Sequence, residues 1–171
     1  MSSGSSPHAE PCDIVLSDQF GARRSTRQLE GSPALLVHGD RRSGTEARRV
    51  GAALHEALCG SVPVIPVIVL PGVPAALHGM VRSTVRAASP QVPVWLDFTG
   101  TTRDRFGIIA GRSAVVVLDA RGRLHAVRHA PFATAALAEI VALIRPLVAA
   151  GAASRPGVVS FDPLSGIREM P

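Results

Sequence analysis

The chain alternates between two hydrophobic periods, and this constrains its fold more than any other feature. Short apolar runs rich in Val, Ile and Leu occupy 34–38, 64–70, 92–97 and 114–119. Segments with helical spacing lie between or after them, at 46–58, 75–88 and 132–149. Short β-branched runs between turn formers read as strands, and a 3.6-residue apolar period reads as a helix packed on them. In the last segment Leu137, Ile140, Val141, Ile144, Leu147 and Val148 fall on one stripe. The run 64–70 has almost no polar face, as for a strand covered on both sides. Ala120-Arg121-Gly122 turns 114–119 back into an alternating stretch, 123–128, which predicts a hairpin. A short helix is expected at 101–107. The order strand, helix, strand, helix, strand, short helix, hairpin, helix predicts an α/β domain, a mixed sheet with helices on both faces.

The expected organisation is a flexible segment at 1–12, one domain at 13–150 and a C-terminal extension at 151–171. Within 13–29 the residues are polar and turn-rich, with a turn at 18–21 and an edge strand at 23–27. Ser43-Gly44-Thr45-Glu46 matches a capping box, in which the Ser hydroxyl takes an orphan N–H and the Glu reaches back. Gly60 closes that helix. A hydrophobic content of 46% is ample for one core, and with aromatics at 4% aliphatic side chains must fill it.

The net charge of +5 at first suggests an anionic partner. All 18 basic residues are Arg, however, and they form no polybasic run. The absence of Lys removes a P-loop lysine, a Schiff base and a pyridoxal phosphate anchor from consideration. There is no G-x-S-x-G nucleophile elbow, no H-E-x-x-H and no C-x-x-C, so no cofactor and no metal site is expected. His125 and His129, four apart on a strand, stand about 13 Å from each other, too far for one ion. Trp95 is read as a core or sheet-face residue. Residues 1–9 lack an apolar segment of the kind a secretory signal needs. The apolar stretch 62–81 holds Pro63, Pro66, Pro71 and Pro74, at about 3 kcal/mol each in a helix interior, so it is read as a strand between turns. A cytoplasmic location without a membrane span is expected.

The stretches 16–39 (LSDQFGARRSTRQLEGSPALLVHG) and 106–127 (FGIIAGRSAVVVLDARGRLHAV) resemble the opening and the late strand and hairpin of thioredoxin-like redoxins. The segment 113–122, with Asp119 and Gly122 in its turn, is particularly similar to the YtfJ-like branch. The resemblance spans about residues 13–149. It implies a thioredoxin-like fold and places a redox thiol just after the first core strand, where a helix N-terminus stabilises a thiolate. That place reads Arg42-Ser43-Gly44-Thr45, with no cysteine. A second landmark, a cis-proline that receives an extended peptide, aligns with Ser113. Both positions are degenerate, so dithiol chemistry is not implied.

Three functional readings follow. The first is a redox-inactive thioredoxin-like module that binds a protein partner or forms a homo-oligomer. Phe161, Leu164, Ile167 and Met170, spaced three apart in the extension, are its candidate contacts. The second is a divergent thiol peroxidase or reductase using Cys59 or Cys12. Cys12, beside the flexible segment, is expected to be exposed, and Cys59, at the wrong end of its helix to hold a thiolate, is expected to be a small buried hydrophobe. The third is an anion or nucleic-acid site on Arg41, Arg42, Arg48 and Arg49. The near absence of aromatic stacking platforms counts against nucleic acid.

Overall fold

The computed structural model of the protein describes residues 11–153. Among these, seven strands form one mixed sheet: β1 (Val15–Asp18), β2 (Arg23–Ser25), β3 (Ala34–Gly39), β4 (Val64–Val69), β5 (Trp95–Asp97), β6 (Ala114–Leu118) and β7 (Leu124–His129). The helices are α1 (Gly44–Ala57), α2 (His78–Ala88), α3 (Thr101–Phe106) and α4 (Thr134–Ala153). Across the sheet the order is β2-β1-β5-β4-β3-β6-β7. Strands β3, β4 and β5 run parallel, with Val37 opposite Pro66 and Val67 opposite Trp95. β6 lies antiparallel to β3, and the expected hairpin carries β7 to the edge.

β3 and β6 are buried along their whole length because both faces of the sheet are covered. Leu35, Val37, Val115 and Val117 face Val50 and Leu54 of α1 and Ile140 and Ile144 of α4. Leu36, Val116 and Leu118 face the other way, toward Trp95, Phe106 and Ile108. Helices α1 and α4 therefore cover one face and α3 the other. In α1 the buried residues Ala47, Val50 and Leu54 fall on one helical stripe, as its apolar period requires. Burying each large aliphatic side chain contributes roughly 1.5–3 kcal/mol. Residues 134–151 of α4, of mean hydropathy 1.6, are long and apolar enough by length and composition alone to cross a membrane. Here Ile140 and Ile144 are fully buried in the core.

The structure corrects four expectations. Residues 15–18, within the stretch expected to be polar and turn-rich, form β1, which pairs with both β2 and β5. Asp18 makes this possible. Its carboxylate accepts the N–H groups of Phe20 and Ala22 to close the turn, and it pairs with Arg24 at 2.8 Å. A buried charge met this way loses little by burial. The capping box at Ser43 does not form, because both of its side chains are engaged elsewhere. A capping box forms instead between Ser25 and Gln28. Cys12 is buried, not exposed: its N–H donates to the Gly122 carbonyl at 2.9 Å and its side chain joins the second core. Cys59 is exposed, not buried, because Leu58 caps α1 and the chain swings Cys59 outward at a φ of 49° before Gly60.

Candidate functional site

The carboxyl ends of the parallel strands β3 and β4 open into a cleft, the location where open α/β sheets receive ligands. His38 and Gly39 form its floor. Val69, Pro71 and Ile108 form its walls, and Arg103 and Arg112 stand at its rim. The loop that joins β3 to α1 crosses one side.

That loop is organised by Asp40. One carboxylate oxygen accepts the N–H groups of Arg42 and Ser43, each at 2.9 Å, and the Ser43 hydroxyl at 2.8 Å. The other accepts the Gly111 N–H at 2.6 Å, which ties the start of α1 to the loop before β6. Partial burial alone would raise the Asp40 pKa. The donors from Ser43, Gly111 and Arg42 outweigh it and hold the carboxyl below its ordinary value. Helix α1 thus carries its own anion at its N-terminus. Gly39 lets the helix come this close: a side chain there would meet the Ala47 Cβ at 2.7 Å.

The position of the second landmark, Ser113, is bonded to the first turn of α1. Ser113 donates its hydroxyl to Glu46 at 2.6 Å, and Ser113 is fully buried. This bond explains why Glu46 does not reach back to Ser43. Arg42 and Thr45 are exposed and Gly44 is half-buried, while Ser43 is buried with its hydroxyl given to Asp40. The Ser43 hydroxyl at this helix start is therefore already hydrogen-bonded.

His38 leaves β3 on the α3 side, with Phe106 edge-on at 5.8 Å between ring centroids. It is 1% exposed, and neither ring nitrogen meets a hydrogen-bond partner. Burial pushes its pKa down to about 4, against the opposing pull of the Leu36 backbone and the Asp97 carboxylate. Near neutral pH the ring is therefore uncharged, with one N–H and one bare nitrogen.

Asp97, at the end of β5, takes six donors. One oxygen accepts the N–H groups of Thr99, Gly100 and Thr101 and the Thr99 hydroxyl. The other accepts the Thr102 N–H at 2.8 Å and its hydroxyl at 2.6 Å. Burial would raise its pKa, but the Thr102, Thr99 and Gly100 donors outweigh it and keep the carboxylate ionised. Asp97 therefore sets the direction of α3, and α3 carries Arg103 to the rim.

The other sequence candidates lie away from the cleft. Cys12 packs on the α3 side of the sheet among Leu36 and Val116, whereas Cys59 follows α1, which covers the opposite side. A helix of 14 residues puts Cys59 about 20 Å from the helix start. Arg41, Arg42, Arg48 and Arg49 are exposed and form no ion pair among the described residues. No group of three metal-binding side chains occurs among the described residues, and His125 is exposed on the edge strand. Phe161, Leu164, Ile167 and Met170 lie outside the described residues. Sequence reasoning missed His38, Asp97, Arg103 and Arg112. The signal for His38 was present, as a lone polar residue closing the otherwise apolar run 34–38.

No family model matches the chain, and no curated protein matches it. Solved structures do match. One is the exposed lipoprotein thioredoxin Etrx1 of Streptococcus pneumoniae, 14% identical, with a TM-score of 0.60 over 77% of this chain and 98% of that one. Another is a secreted thiol-disulfide isomerase of Corynebacterium glutamicum, 17% identical, TM-score 0.58, covering 87% of this chain and 98% of that one. A third is a thiol:disulfide interchange protein of the thioredoxin family from Chlorobium tepidum, 15% identical, TM-score 0.56, covering 82% and 99%. At these identities the likeness establishes the fold, which is thioredoxin-like.

Proposed function

We propose that the chain is a redox-inactive thioredoxin-like module, closest to the YtfJ-like branch, that holds a protein partner, with the extension 151–171 as its contact. The observation that carries this reading is the Asp40–Ser43–Gly111 network. It occupies the helix start where a thioredoxin-like enzyme needs a thiolate, and it fills that place with a carboxylate. Thiolate and carboxylate compete for the same N–H groups and the same dipole, so the built-in anion opposes thiol chemistry there. The similar structures are named for thiol-disulfide work, which favours the redox alternative. Against it, Cys12 is sealed in the core and Cys59 stands at the far end of α1.

Affinity capture from the native lysate tests the binding half. The full chain is expected to retain a partner in stoichiometric amount, and a chain ending at Ala153 is expected to lose it. Equal capture by both chains removes the extension as the contact. Capture by neither sinks the binding reading.

A further inference from the structure

The cleft holds two features that the module reading leaves unused. The first is His38, buried to 1% exposure beneath the cleft with both ring nitrogens unpartnered. Its nitrogens are closed off from the cleft, so the ring reports on the lining without touching an occupant. The second is the pair of guanidinium groups at the rim, held only loosely by the protein. Arg103 reaches the adjacent Asp104 at 3.5 Å, and Arg112 reaches the Ala130 carbonyl at 3.5 Å. Asp40 and Asp97 turn their carboxylates to four and six donors of their own, and neither forms a hydrogen bond or ion pair with a rim arginine. Between floor and rim the walls are apolar, from Val69, Pro71, Ile108 and Ile109. Ile109 is 50% exposed, so the apolar surface continues out of the mouth.

We propose that this cleft binds a ligand with a carboxylate head and a short apolar body, the carboxylate meeting Arg103 and Arg112. A planar guanidinium matches a carboxylate in two-point fashion. The apolar walls favour an aliphatic body over a bare ion. The enclosed space is about 40 Å3, room for the carboxylate head, and the apolar body of a small acid or of a terminal residue lies along Ile109 at the mouth. Two sources supply this chemistry, a free short-chain acid and the C-terminal residue of a peptide. A free acid satisfies the proposal without a protein partner, so the inference goes beyond the module reading and stands apart from it.

The test is the imidazole resonance of His38 in the full chain, titrated with propionate, inorganic phosphate, and a tripeptide ending in Val as free acid and as amide. Propionate and the free-acid peptide are expected to shift the resonance saturably. Arg112→Gln and Arg103→Gln are each expected to weaken this about tenfold, as loss of one charge-assisted pair does. Arg121→Gln, exposed on the β6–β7 turn, is expected to leave it unchanged. A tighter free-acid peptide with a silent amide identifies a peptide C-terminus, and equal binding of peptide and propionate identifies a free acid. A resonance that stays still with every carboxylate, or moves with phosphate alone, overturns the proposal. So does binding that the two rim substitutions leave untouched. Thiol turnover would sink the module reading without altering any of these outcomes.

Discussion

Asp97→Ala is expected to destabilise the protein by about 4 kcal/mol, read as a lower urea midpoint at an unchanged slope. The carboxylate accepts four N–H groups in the turn before α3 and at its start, together with two threonine hydroxyls. Losing an ordinary N-cap costs about 1 kcal/mol. This one costs more because the group is buried and charged, and because Gly100 and Thr102 keep N–H groups that water does not reach. Asp97→Asn retains one acceptor but turns an amide toward the remaining donors, and is expected to cost about 2 kcal/mol. A loss below about 1 kcal/mol for the alanine variant would show that α3 does not depend on this carboxylate.

A fall in pH from 7 to about 4 is expected to remove about 3 kcal/mol of stability through His38 alone. The imidazole titrates at its ordinary value of 6.5 when the chain is unfolded and at about 4 when folded. Between those values the unfolded chain binds the extra proton, so stability is complete above 6.5 and is lost as pH falls toward 4. The aspartates Asp18, Asp40, Asp97 and Asp119 are all held below their ordinary value of 3.8, so their share is lost as pH falls through about 4 and lower and overlaps only the foot of the window. His38→Leu is expected to flatten the profile between pH 6.5 and 4. At pH 7 it is expected to be at least as stable as the parent, since it removes two unpartnered nitrogens. An unchanged acid slope in the leucine variant would place the titrating group elsewhere.

The frame of the molecule was legible because its signals are local and repeated. The apolar runs at 34–38 and 114–119 became β3 and β6, buried along their whole length, and the stripe from Leu137 to Val148 became the core face of α4. Cys59 apart, whose outward turn is local, the misses share one physical cause: the partner lies far along the chain. Glu46 was assigned to Ser43, three residues away, but its partner is Ser113, 67 residues away. Asp40 joins its own loop to Gly111, 71 residues on. β1 is held by β5 through Ser17 and Leu96, a pairing that four residues of mixed polarity do not announce. Cys12 sits beside Gly122 and is buried by a bridge from Pro11 to Arg123. Local pattern reports period and turn chemistry. It does not report which distant groups satisfy a buried polar atom, and the cleft is assembled from such groups.

The most direct test of the central claim is thiol turnover by the full chain beside its Cys12→Ser and Cys59→Ser variants. The readouts are dithiol-driven reduction of a disulfide substrate and consumption of peroxide. The account predicts no turnover above the protein-free control, with no difference among the three proteins. Turnover that disappears in Cys59→Ser or Cys12→Ser would contradict it and establish a thiol enzyme.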